Sequence, residues 1–209
     1  LAGLPYTVPG ETVNRLCASG MSAVVQAKRA IQIGDADVLI AGGVEHMTRS
    51  PLVMSKASAA FDGNQELFDS SFGWRFVNPK MKAMYGTDAM GETAENLVDL
   101  YNISREDQDR FAYNSQMKAA AATANGKLAD EICSVTIPQK KGEAVVVTKD
   151  EFIKPSTTPE VLAKLKPAFR ANGTVTAGNA SGLNDGAAAL LLASDTAVAQ
   201  YGLKPLAKV

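Results

Sequence analysis

Two cysteines and one histidine hold most of the nucleophilic and general-base potential of this 209-residue chain. Cys17 stands in Val13-Asn14-Arg15-Leu16-Cys17-Ala18-Ser19-Gly20-Met21, between an extended stretch and the first turn of an expected helix. At a helix N-terminus, unpaired backbone N–H groups and the helix dipole favour a thiolate. The small residues Ala18, Ser19 and Gly20 leave room above the sulfur for a carbonyl carbon. A backbone N–H of the same turn can donate to the oxyanion that thiolate attack creates. That chemistry is covalent acyl transfer. A free cysteine is also commonly a small buried hydrophobe, and placement alone leaves both readings open.

The other two residues are weaker candidates. Cys133, in Asp130-Glu131-Ile132-Cys133-Ser134, has no glycine around it and reads as a structural or surface thiol. His46 lies shortly after the strand expected at Val38–Ala41, and residues just past the second strand of a right-handed βαβ unit emerge on the edge where the helix begins. It reads either as a near-site residue beside Cys17 or as a loop-packing or subunit-contact residue. With no CxxC spacing and a single histidine, neither a disulfide framework, nor a zinc site, nor a His-rich metal centre is expected. The cysteine usage fits a reducing compartment, the cytoplasm in the first instance, with the mitochondrion and peroxisome left open.

The elements that must position Cys17 are read from local signals. Glu11–Asn14 is expected as a strand, Met21–Ile33 as a helix stopped by Gly34 and Asp35, and Val38–Ala41 as a second strand parallel to the first. From Thr48 to Gly182 the pattern changes and reads as an insertion. It begins with a polar, aromatic-rich loop stretch at Phe61–Tyr85 and continues with helices at Glu92–Tyr101 and Ser104–Asn125, and short strands near Val135 and Val145. Ser104 can cap the second helix and Gly126 can end it. Ala187–Ala193 is expected as a buried strand, Asp195–Tyr201 as a short helix, and Leu206 as the entry to another strand. The domains are thus expected at 1–47, 48–182 and 183–209, the last continuing the first.

Composition limits the partners. Twenty-one basic and 22 acidic residues give a formal charge of −1, so no global field gathers nucleic acid or an anionic membrane. Apolar runs such as Ala187–Ala193 are far shorter than the ~20 residues a membrane helix needs. No export signal is legible, and a chain starting at Leu1 is expected to begin within a longer protein.

Two long motifs then become specific. Asn14-Arg15-Leu16-Cys17-Ala18-Ser19-Gly20-Met21 is similar to the nucleophile motif of the thiolase family, the acetyl-CoA acetyltransferases and 3-ketoacyl-CoA thiolases. Residues Gly173 to Ala188 (GTVTAGNASGLNDGAA) resemble the second thiolase signature, in the expected order. Ala41-Gly42-Gly43-Val44-Glu45, Met90-Gly91-Glu92-Thr93-Ala94-Glu95-Asn96 and Leu165-Lys166-Pro167-Ala168-Phe169 extend the resemblance over nearly the whole chain. It implies an α/β thiolase-like fold, in which a partial βαβ catalytic domain is interrupted by a mixed α+β loop domain that binds CoA.

The resemblance also implies roles. Cys17 takes the acyl group as a thioester, and the pantetheine arm of CoA runs along Met90, Phe169, Ala177 and Ser181. An apolar thread with two amides suits a thioether and aromatic wall with a few hydroxyl or backbone partners. Lys154 is the candidate for the CoA phosphates, and Ser70–Phe76 covers the acyl end. CoA and acyl-CoA are substrates rather than resident cofactors, and a homodimer or homotetramer is expected. The same residue types also serve ordinary packing, turn chemistry and solvated surface, and a non-catalytic CoA- or lipid-binding module is the alternative.

Three family segments do not occur in these 209 residues: Asn-Glu-Ala-Phe, Gly-His-Pro with its activating histidine, and Cys-x-Gly with the second cysteine. The C-terminal half is therefore expected to lie outside this sequence, and the isolated segment is expected to be inactive. Thiolases more often carry serine where this chain has His46.

Overall fold

In the computed structural model, which describes residues 2–209, the helical spacing after Cys17 folds as α1 (Ser19–Ile33). It starts two residues before Met21, because the Ala18 carbonyl already accepts the Ser22 N–H at 2.9 Å. Gly34 ends it at φ 81°, and the Asp35 N–H reaches back to the Ala30 carbonyl at 2.9 Å. This is the left-handed C-cap that glycine adopts without a Cβ penalty.

The chain then returns as β1 (Val38–Glu45), which pairs antiparallel with β6 (Gly186–Ala193) from Val38↔Ala193 to Glu45↔Gly186. At Gly42 the strands leave no space for a side chain, since a Cβ there would lie 2.7 Å from the Ala188 carbonyl oxygen. Ala27 of α1 packs with Ala41 and Leu192, flanked by Ala23, Val24, Ile31 and Leu39. A short α6 (Asp195–Tyr201) follows, and its Ser194 cap accepts the Ala197 N–H at 3.1 Å while donating its hydroxyl to Asp37 Oδ1 at 2.6 Å. These residues belong to one compact unit, formed up to Met47 and from Asp185 to Val209.

Four local expectations for this unit change. Among the described residues no strand covers 11–14. The Leu16 N–H turns back onto the Asn14 side chain at 2.9 Å, and β1 takes its ladder partner from β6 instead, so the paired strands run antiparallel rather than parallel. The 186–193 strand forms but is not buried, because α1 covers one face only, leaving Ile40, Val44 and Leu191 exposed. No strand forms at Leu206.

The second unit comprises Thr48–Asn184. The 61–85 stretch is more ordered than its polarity suggests. β2 (Leu52–Met54) pairs antiparallel with β3 (Leu67–Asp69), and α2 (Pro79–Tyr85) is capped by Asn78 Oδ1, which accepts the Lys80 N–H at 2.9 Å. Asn78-Pro79 is a helix-start signature, a capping side chain followed by proline at N1. α3 (Met90–Tyr101) and α4 (Arg105–Ala124) follow the expected pattern, with Ser104 Oγ accepting the Asp107 N–H at 3.1 Å. Gly126, at φ 68°, closes α4 with the Lys127 N–H on the Ala122 carbonyl at 3.0 Å. β4 (Val135–Ile137) and β5 (Val145–Val147) form a hairpin across the 138–144 loop, and α5 (Pro159–Ala163) is capped by Thr158. No helix among the described residues is long and apolar enough to cross a membrane.

Candidate active site

Cys17 lies two residues ahead of α1, and its thiol is exposed. Leu16, immediately before it, has φ 51°, a left-handed conformation that L-residues other than glycine rarely adopt. Three interactions hold this turn. The Leu16 N–H donates to Asn14 Oδ1 at 2.9 Å, the Arg15 N–H donates to Ser19 Oγ at 2.9 Å, and that hydroxyl donates to the Leu16 carbonyl at 2.7 Å. The Ala18 and Ser19 N–H groups bond the Arg15 and Leu16 carbonyls at 3.1 and 3.0 Å, so those two donors are used by the turn itself.

His46 follows β1 directly, its Nδ1 3.2 Å from Asp185 Oδ2, and both side chains are about half exposed. The β1–β6 register ends at Glu45↔Gly186, which sets His46 and Asp185 side by side just beyond the last strand pair. Cys133 is exposed in the second unit, its sulfur 3.9 Å from the Ser134 carbonyl.

In the second unit the 173–182 segment is fastened by side chains that the sequence reading did not single out. Buried Glu95 accepts the Thr174 N–H at 2.9 Å and the Val175 N–H at 2.8 Å. Asn179 accepts the Thr176 N–H at 2.7 Å and donates to Asp109 Oδ1 at 2.9 Å. Asp109 in turn pairs with Arg105 Nε at 2.9 Å, and Arg105 donates to the Leu162 and Leu165 carbonyls at 2.7 and 3.0 Å. Arg170 bonds Glu92, Asn96 and Asp99 at 2.5 to 2.6 Å. The Glu92 hydrogen bond, helped by Asp99, raises its pKa above the ordinary arginine value. One signal pointed here: α3 carries Glu92, Glu95 and Asp99 with no basic residue of its own, so their partners must come from elsewhere in the chain.

The CoA-contact candidates fall at two places in this unit. Phe169 lies on Gly91, where an added Cβ would stand 2.2 Å from the ring, and Gly91 adjoins the exposed Met90 at the start of α3. Ser181 lines a groove of about 350 Å³ with Phe111, Ser115, Gln116, Phe152 and Asn179. The Lys154 N–H reaches the same place, donating to Gln116 Oε1 at 2.8 Å. Ala177 precedes Gly178, which also lines the groove and has no space for a side chain against Leu165 and Leu162. The Ala168 N–H bonds the Val175 carbonyl at 3.0 Å, tying the Phe169 segment to the run that leads to Ala177. Within 70–76, Phe76 stands edge-on to Phe68 at 5.3 Å between centroids.

Residues 1–196 match the family description "Thiolase, N-terminal domain". The chain is 59% identical over its full length to a β-ketoadipyl-CoA thiolase of Acinetobacter baylyi, covering 52% of that protein. It is 56% identical over its full length to the 3-oxoadipyl-CoA/3-oxo-5,6-dehydrosuberyl-CoA thiolase of Escherichia coli, again covering 52%. Among solved structures, 98% of the chain superposes on half of the acetyl-CoA acetyltransferase from Syntrophomonas wolfei (TM-score 0.86, 38% identity). The same share superposes on half of human mitochondrial 3-ketoacyl-CoA thiolase (TM-score 0.84, 36% identity). The chain thus spans about half the length of the curated relatives it matches. With residues 1–196 matched by the family description and the whole chain aligned to half of these thiolases, the chain belongs to the thiolase family.

Proposed function

We propose that the protein moves acyl groups between CoA thioesters, cleaving a 3-ketoacyl-CoA with CoA thiol through a thioester on Cys17. The observation that carries this reading is the exposed Cys17 thiol, presented by a left-handed turn at the start of α1. The substrate class follows the names of relatives at 56 to 59% identity, 3-oxo acyl thioesters whose chain ends in a second carboxylate.

In the cleavage direction the Cys17 thiolate adds to the C3 ketone. The C2–C3 bond breaks with its electron pair passing to C2, and protonation of that carbanion releases acetyl-CoA. A CoA thiolate then attacks the acyl-Cys17 thioester, freeing the shortened acyl-CoA and regenerating the Cys17 thiolate. Met90, Phe169, Ala177 and Ser181 contact the pantetheine arm, and Lys154 faces the phosphates. The histidine and second cysteine that complete the cycle in thiolases belong to family segments not contained in these 209 residues. A homodimer or homotetramer is the assembly we propose.

Incubation of the whole polypeptide that carries these residues with acetyl-CoA, followed by peptide mass spectrometry, tests the reading. An acetyl adduct on the Cys17 peptide, labile to hydroxylamine and lost in Cys17→Ser, is the expected result. Saturable acetyl-CoA binding that never acylates Cys17 would leave a binding module in place of an enzyme.

A further inference from the structure

We infer that Ser19 is a positioning residue for Cys17, its hydroxyl holding the left-handed Leu16 turn that presents the sulfur. The inference rests on the proposed role of Cys17 for its functional meaning, but its geometry stands separately. A left-handed non-glycine residue costs roughly 1–2 kcal/mol relative to a right-handed one, and something must hold Leu16 at φ 51°. Its own side chain does not, being 80% exposed.

Ser19 is the first residue of α1, one position past the N-cap Ala18. Here α1 has no side-chain cap, and the Ser19 hydroxyl points backward instead. It accepts the Arg15 N–H at 2.9 Å and donates to the Leu16 carbonyl at 2.7 Å, so a single side chain spans the turn from before Leu16 to after it. The Leu16 carbonyl shares its peptide plane with the Cys17 nitrogen. Fixing the direction of that carbonyl therefore also fixes the Cys17 N–H, which points the opposite way in a trans peptide. Asn14 completes the turn by accepting the Leu16 N–H but does not touch the peptide that carries Cys17's nitrogen.

The test is the rate of iodoacetamide alkylation at Cys17, with Cys133, exposed in the other unit, as the internal reference on the same molecule. Ser19→Ala is expected to slow Cys17 about tenfold, equivalent to ~1.4 kcal/mol, while the Cys133 rate and the thermal midpoint stay near wild type. Ser19→Thr keeps the hydroxyl and is expected within about twofold of wild type on the same scale. Glycine adopts positive φ without strain, so adding Leu16→Gly to Ser19→Ala is expected to recover most of the lost rate. This double variant also serves if Ser19→Ala alone folds poorly. An unchanged Cys17 rate in Ser19→Ala, equal losses in the Ala and Thr variants, or a double variant as slow as the single one would each overturn the inference. Failure of the acyl-transfer reading is seen separately, as a wild-type protein whose Cys17 is alkylated but never acetylated by acetyl-CoA. Where acetylation does occur, Ser19→Ala is expected to lower its maximal rate and leave the half-saturating acetyl-CoA concentration unchanged.

Discussion

Glu95 shows how one side chain can decide the shape of a distant segment. It is 2% exposed, and its carboxylate accepts backbone N–H groups from Thr174 and Val175, 79 and 80 positions further along the chain. Both N–H groups converge on Oε1, which glutamine can keep as an acceptor, but the NH₂ that replaces Oε2 then faces the Thr174 N–H 3.2 Å away and the charge that strengthens both bonds is lost. Glu95→Gln is expected to lower stability by about 2 kcal/mol, the scale of a hydrogen bond to a buried charged group, read as a shift in the urea midpoint. Gly91 makes the complementary point about space. An alanine Cβ there would overlap the Phe169 ring at 2.2 Å, and Gly91→Ala is expected to cost about 1–3 kcal/mol by overpacking. If Phe169 lines the pantetheine path, the same variant should also weaken acetyl-CoA binding, measured by calorimetry.

At the scale of elements, helix ends were legible where one side chain or one glycine decides them. Ser104 caps α4, Gly34 closes α1 and Gly126 closes α4, each as its residue type predicts. The missed α2 carried the same kind of signal in Asn78-Pro79, hidden by the aromatic and polar residues ahead of it. The strand expected at 11–14 is a different case, since a strand exists only through a ladder partner and the ladder that β1 forms is with β6, not with 11–14. Ser194 joins these elements, capping α6 through the Ala197 N–H while its hydroxyl and N–H bond Asp37 just before β1. Ser194→Ala removes the cap and the side-chain link together. A loss of about 1–2 kcal/mol is expected, with faster hydrogen exchange at Ala197 as its local signature.

At the scale of the whole molecule, near-balanced charge makes individual carboxylates the visible source of acid sensitivity. The Ser71 hydroxyl and N–H hold the Asp69 carboxyl below the usual value of 3.8, and the Ser58 hydroxyl, with the Asn64 and Ser58 N–H groups, does the same for Asp62. Glu160 is held below 4.5 by its own backbone N–H and by Thr158. A folded pKa below the unfolded one contributes stability that is present above the unfolded value and lost as pH falls through the folded value. The urea midpoint is therefore expected to fall as pH is lowered below the ordinary carboxylate range. Ser71→Ala should move the Asp69 titration, followed by NMR, back up toward 3.8. A titration unmoved by that change would remove the Ser71 hydroxyl as a cause.

The sequence by itself determined what depends on neighbouring residues: where α1 and α4 end, the 138–144 hairpin, the two signature motifs and the placement of Cys17 before a helix. Those features follow from the φ/ψ preferences of single residues and from side chains bonding the backbone a few positions away. Only the tertiary structure decided that β1 pairs antiparallel with β6 across the whole 48–184 unit, and that Glu95, Asp109 and Arg170 clamp the second signature and its flank. It also set Leu16 at positive φ with Ser19 turned back to hold it. In each case the residue type permits several partners, and the choice is made by which groups the fold brings within hydrogen-bonding distance once burial leaves a carboxylate or an N–H no water to bond instead.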